Sequence, residues 1–323
     1  MKRSFKLFLA AAVLITEVFA IALPVLTTSA RADGAIQAIT HAGFGGGTDV
    51  TTRMMLLRTR RYLKQDMQLV NKKGGGGAAS MDYMMTLPAD GQHTLTWTTG
   101  HAVSMALGKT KVKLSDMQPL ARGTDDPQLF VVNCKNEIKD AKKFVSAQKS
   151  KSLKYGTTHV GGIDDVSAIA FTKKGKLTDP TIVPYKGVGP IKTNLIKGDI
   201  DVGVLNLGEA VTEIEDGTLC VSVVLASNRM EKLSNVPTAT ELGIPVVLST
   251  VRGFVTRKGV SADRKKQLED AMIKAMEHKY FQSFLTDIGL DSTSVVGADE
   301  WGKQMEVMLA EMTAQLKALG YIN

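Results

Sequence analysis

The segment from His41 to Arg53 carries the residues best suited to chemistry in this chain. Three glycines, Gly45, Gly46 and Gly47, precede Thr48 and Asp49, and a helical pattern runs from Val50 to Leu63. Glycine has no Cβ, so the backbone can turn sharply and approach a guest closely. The first N–H groups of the helix then lack partners and lie at the positive end of its dipole. A short apolar run, Ala35 to Ile39, reads as the strand before this turn. Strand, glycine turn and helix start together suit a carboxylate or phosphate. A tight turn without any ligand is the competing reading. Gly47-Thr48-Asp49 is not the Gly-Lys-Ser/Thr ending of a phosphate loop, and no glycine completes a dinucleotide fingerprint after Thr48.

The elements that must position this turn follow an α/β pattern. Strands are expected at Ala35–Ile39, Thr94–Thr98, Leu129–Asn133, Leu153–Thr157, Thr181–Pro184, Asp201–Leu205 and Leu219–Ser227. Helices are expected near Asp140–Ser150, Val166–Lys173 and Gly189–Ile196, with three more at the C-terminus. Alternation of this kind builds sheets wrapped by helices, here as two lobes. In the last helix Trp301, Met305, Met308, Leu309, Met312, Leu316 and Leu319 recur at helical spacing and mark a core face.

The N-terminus has the form of a secretory signal peptide over residues 1–32. Lys2, Arg3 and Lys6 precede an apolar run from Leu7 to Leu26, and Ala30-Arg31-Ala32 supplies a small-x-small cleavage pattern. Glu17 and Pro24 interrupt the run and argue against a retained span. Cleavage after Ala32 removes four of the 40 basic and one of the 32 acidic residues, leaving a charge of +5. That modest surplus does not suggest a nucleic-acid partner. Arg58, Arg60, Arg61 and Lys64 read as a solvated helix face, with a docking patch as the alternative. In an oxidising compartment the two cysteines, Cys134 and Cys220, either pair near the hinge or stay in separate strands. The histidines at 41, 93, 101, 159 and 278 have no metal-ligand spacing, so neither a metal nor a cofactor is expected.

Beyond the glycine turn, four further motifs stand in order. They are Val70 to Gly77 (VNKKGGGG), Pro88 to Gly91 (PADG), Pro184 to Pro190 (PYKGVGP) and Val236 to Gly243 (VPTATELG). With the signal peptide, this series resembles the solute receptors of tripartite tricarboxylate transporters, the Bug family. The resemblance runs from about Ile36 to the C-terminus. It implies a type II-like, two-lobed periplasmic binding protein, each lobe a mainly parallel sheet wrapped by helices and joined by crossing hinge strands. Residues 33–125 and 226–323 would form the first lobe, and residues 126–225 the second.

The family holds a ligand carboxylate between two facing strand–helix loops. Carried onto this sequence, the first loop is Phe44, Gly45, Gly46, Gly47, Thr48 and Asp49, with Thr99, Gly100 and His101 beside it. The second comprises Thr158, His159, Gly161, Gly162 and Asp164. It departs from the family's Gly-x-Gly-Ser pattern: His159 stands for the first glycine, Gly162 for the serine and Asp165 for a histidine. Asp164 and Asp165 either cap the helix or face the cleft and favour a ligand with a positive group. Asp49 reads as a structural residue bonding helix-start N–H groups. Arg252 is either a clamp for a distal carboxylate or an interlobe arginine. His101 and His159 either donate to an anion or are structural.

The expected partners are a small mono-, di- or tricarboxylate, with an amino acid as a further candidate, and membrane transporter subunits. A monomer without enzymatic activity is expected. Two alternatives are a sensor signalling to a membrane kinase and an exported hydrolase. No G-x-S-x-G or H-E-x-x-H motif supports the latter.

Overall fold

Apolar runs that end in glycine or threonine turns form two sheets, each flanked by helices. The computed structural model describes residues 34–158 and 160–322. The signal peptide expected over residues 1–32 and the candidate residue His159 lie outside the described residues. The chain begins with β1 (Ile36–Thr40), α1 (Gly47–Leu63), β2 (Met67–Asn71), α2 (Ala78–Met85), β3 (His93–Thr98), α3 (Thr99–Ala106) and β4 (Met117–Pro127). The middle supplies β5 (Leu129–Asn133), α4 (Ala141–Ser150), β6 (Lys154–Thr157), α5 (Ile163–Lys174), β7 (Thr181–Pro184), α6 (Val188–Lys197), β8 (Val202–Leu205), α7 (Leu207–Glu215) and β9 (Leu219–Val224). The last part adds β10 (Ser249–Arg257), α8 (Ala262–Glu277), α9 (Lys279–Asp287), β11 (Val296–Gly297) and α10 (Ala298–Ala318).

The first sheet has the order β11-β4-β10-β3-β1-β2 and the second β7-β6-β8-β5-β9. Strands β3, β1 and β2 are parallel, as are β7, β6 and β8. The remaining pairs are antiparallel, so the sheets are mixed rather than mainly parallel as expected. The reason is the connectivity. β4 runs into β5 of the other sheet with only Gln128 between them, and β10 also returns from the other sheet. β5 and β10, which enter from the other sheet, need no crossover helix within their own, and they run against its parallel strands.

Three backbone hydrogen bonds tie the crossings together. Leu225 donates to Gln128, Gln128 to Leu248 and Leu248 to Leu225, each at 2.9 Å. The long crossing strand expected over Leu219–Ser227 is shorter, because β9 ends at Val224. After it, Met230, Leu233 and Val236 pack against Leu129, Val131 and Val224 of the second sheet. The chain joins the first sheet again at Ser249. Cys134 and Cys220 form a disulfide. It does not sit at the hinge as expected: Cys134 follows the end of β5 remote from Gln128.

The core follows the apolar patterns. Trp301, Met305, Met308, Met312 and Leu316 of α10 are buried, while Leu309 and Leu319 are partly buried against the same cluster. Gly253 of β10 makes room for Trp301, since a Cβ there would meet the indole at 2.3 Å. What this scaffold positions lies at the carboxyl ends of the parallel strands, where ligand sites of open α/β sheets form. β1 and β3 of one sheet, and β6, β7 and β8 of the other, deliver their following loops to one cavity.

Candidate functional site

α1 and α5 start in the same way. Gly45 (φ 75°) and Gly161 (φ 66°) hold the left-handed conformation that glycine tolerates. Gly46 and Gly162 follow as extended N-cap residues, and neither helix has a side-chain cap. The third helical residue then folds back on the loop. Asp49 Oδ2 accepts the Gly45 N–H at 3.0 Å, and Asp165 Oδ2 accepts the Gly161 N–H at 2.6 Å. α6 is the third such start: its N-cap is Gly187 (φ 115°), again without a side-chain cap. All three line one cavity of about 310 Å³. A capping side chain would accept the first helical N–H groups; glycine leaves them to a guest. At the rim, Phe44 and Val160 are 78% and 70% exposed on the two opposing loops.

Arg252 of β10 forms the floor. It is buried and bonds Asp126 Oδ2 at 3.0 Å, Asn206 Oδ1 at 3.1 Å, Thr48 Oγ1 at 3.2 Å and the Thr250 carbonyl at 3.4 Å. These bonds hold it within the protein, where it links Thr48 of α1 to Asn206 before α7, and it also lines the cavity. Gly47 permits this approach, because a Cβ there would meet Arg252 Nη2 at 2.5 Å. Asn206 is the N-cap residue of α7: its N–H donates to Glu209 Oε2 at 3.0 Å, while its side chain makes no cap bond.

Two buried carboxyls adjoin the cavity. Asp164 lies in its wall and accepts the Thr158 N–H at 2.9 Å and the Thr158 hydroxyl at 2.6 Å. Burial pushes its pKa up to about 7; the Thr158 bonds oppose the rise, while Glu209 and Asp165 add to it. Asp126 is also pushed up to about 7 by burial, against the attraction of Arg252 and with added repulsion from Glu209.

Of the expected contacts, Phe44 to Thr48, Gly100, Thr158, Gly161, Gly162 and Asp164 line the cavity. Asp49, Thr99 and His101 do not. Asp49 is turned back onto Gly45 and Arg53. The Thr99 hydroxyl ties α3 to β10 through Ser249 and Val251. His101 is fully buried, accepts the Thr98 N–H at Nδ1 and bonds Ser80 through Nε2. Burial holds its pKa well below the usual range, so it is a neutral structural residue. Sequence reasoning missed Gly76, Ser104, Lys186 to Pro190, Asn206, Glu209 and Thr250 in the wall. The Asn206-x-x-Glu209 spacing after an apolar strand was a legible capping-box signal. Lys186 to Pro190 belonged to a noted motif without a role.

A profile described as the tripartite tricarboxylate transporter family receptor matches residues 51–319. The chain belongs to this family. Protein BugT of Bordetella pertussis is 26% identical over 219 residues, covering 65% of this chain and 66% of BugT. MatC of Rhodopseudomonas palustris, solved with bound malate, superposes with a TM-score of 0.78 at 22% identity, covering 87% of this chain and 98% of MatC. Rpa4515 of R. palustris, solved with adipate, gives 0.80 at 21% identity, with coverages of 88% and 97%. These likenesses establish the two-lobed periplasmic-binding-protein fold for this receptor.

Proposed function

We propose that this receptor binds a small organic carboxylate in the cleft between its lobes and presents it to membrane subunits of a tripartite tricarboxylate-type transporter. It would work in the periplasm after cleavage behind Ala32. One observation carries the reading: three helix starts capped by glycine, at Gly46, Gly162 and Gly187, converge on a single cavity. The malate in MatC and the adipate in Rpa4515 support a carboxylate as the guest.

The magnitudes favour convergence over any single turn. One helix terminus contributes about 0.3–1 kcal/mol to anion binding, and about 2 kcal/mol when partly buried. A micromolar receptor needs about 8 kcal/mol. Several starts acting together, with charge-assisted bonds in a drier cleft, can approach that figure. The triple hydrogen-bonded crossing at Gln128, Leu225 and Leu248 is a compact hinge about which the lobes can close. A closed shape that differs from the open one gives the transporter a means of distinguishing loaded receptor.

The test is calorimetric titration of protein unfolded and refolded to strip co-purified solute. Mono-, di- and tricarboxylates form the panel, with neutral and cationic solutes as controls. Saturable binding of a carboxylate class, returned chemically unchanged, is expected. Binding of only the controls would overturn the proposal.

A further inference from the structure

The two facing helix starts differ at their second residue. In α1 it is Thr48, neutral, with its hydroxyl oxygen held by Arg252. In α5 it is Asp164, whose carboxyl already takes the N–H and hydroxyl of Thr158. The α5 start therefore presents a built-in carboxyl where a ligand carboxylate would look for donors. Glu209 joins it in the wall, with Oε2 on the Asn206 N–H at 3.0 Å and Oε1 beside Gly47.

The surplus of acceptors continues beneath the wall. Gln128 Nε2 is bonded to Thr250, with Asp164 at 3.5 Å, yet its buried Oε1 accepts no hydrogen bond among the described residues. The same holds for Oδ1 of Asp126, which is 3% exposed. The buried cation nearby, Arg252, is engaged by Asp126 and Asn206, and Lys186 of the wall is exposed. A ligand's second carboxylate would meet carboxyl oxygens of Asp164 and Glu209 here, which when ionised only accept hydrogen bonds.

We propose that the solute carries an ammonium group as well as a carboxylate, with Asp164 and Glu209 receiving the ammonium while the glycine-capped helix starts hold the carboxylate. This rests on the carboxylate-receptor reading above. An ammonium offers three donors and no acceptor, matching a wall rich in carboxyl oxygens. Bonds between an ammonium and a carboxylate are among the stronger hydrogen bonds available to a protein. A cavity of about 310 Å³ suits a small amino acid.

The experiment pairs acids that differ only by the amine: glutamate with glutarate, alanine with propionate, and 4-aminobutyrate with butyrate. Each is titrated into refolded wild-type protein and into Glu209→Gln and Asp164→Asn, which keep the side-chain size and remove the charge. At least one amine-bearing member should bind at least about tenfold more tightly than its partner, and each variant should erase most of that preference. Equal or tighter binding of the amine-free members to the wild type overturns this inference and leaves the carboxylate reading standing. An amine preference unchanged in both variants overturns the assignment to Asp164 and Glu209. Failure of every carboxylate in this and the broader panel overturns both proposals.

Discussion

Helices on the outside of this molecule and helices at its cleft begin differently. α4, α8 and α9 start with Asp140, Ser261 and His278, whose side chains accept the N–H groups of Lys143, Arg264 and Tyr280. α10 starts at a glycine but takes the Glu269 carboxylate on its Ala298 N–H. At the cleft, α1, α5 and α6 start at glycines that offer nothing. Outer helices satisfy their own first turns. These three cleft helices forgo that stabilisation and leave the same donors to a guest. Two other cleft helices mark the limit of the rule: the Thr98 hydroxyl caps α3 by accepting the Gly100 N–H, and α7, whose N-cap Asn206 makes no side-chain cap bond, carries the Glu209 carboxyl into the wall.

The comparison can be broken most severely beneath α1. Replacing Arg252 by Met leaves the Asp126 carboxylate buried without its partner and releases Thr48. Denaturant unfolding should show a loss of about 3–5 kcal/mol, as for other broken buried pairs. A change in stability below 1 kcal/mol would show that this strut does not hold the floor.

Adding a cap at the cleft is the next test. Gly46 has ordinary extended angles, and a Cβ there would meet only the Gly43 carbonyl at 3.4 Å, so Gly46→Asp can be built. Its carboxylate would accept the N–H groups meant for the solute. Stability should change by only a few tenths of a kcal/mol, while carboxylate affinity measured by calorimetry falls at least about tenfold. Unaltered affinity would place the solute elsewhere.

Protonation sharpens the contrast within the cleft. The folded-state pKa values of Asp164 and Asp126, about 7, lie above those of the unfolded chain. The folded state therefore binds more protons between about pH 4 and pH 7, and stability should decline as pH rises through that interval. Thermal unfolding across the series should show this, and Asp164→Asn should reduce it, leaving the share of Asp126. Asp165, Glu209, Gln128 and Thr158 remain around that site in the variant. The smallest effects belong to the outer helices. Asp140→Ala and Ser261→Ala should each cost about 1 kcal/mol and leave solute affinity unchanged.

Much of this was legible in the sequence where local pattern decides. Leu129–Asn133 and Thr181–Pro184 form strands at the expected residues, because short apolar runs bounded by polar turns have few alternatives. The core stripe of α10 follows from its spacing. The reversed strands β5 and β10 were hidden, because strand direction depends on which lobe the chain enters next. The first loop's glycines pointed to their site directly. Asp49 and His101 did not reach the cavity because hydrogen bonds closed locally, to Gly45 and to Thr98. Arg252 and Asn206 are 46 residues apart and meet only through tertiary folding. No local pattern announces such a contact.

The central claim is that main-chain N–H groups at glycine-capped helix starts hold the solute's carboxylate. Amide proton–nitrogen NMR on deuterated protein tests it most directly, during titration with whichever of the six paired acids binds most tightly. The largest shifts should fall on the Gly47, Thr48, Val188 and Gly189 amides and saturate together with the calorimetric isotherm. Saturation of binding while those amides stay still, with the large shifts elsewhere, would contradict the account.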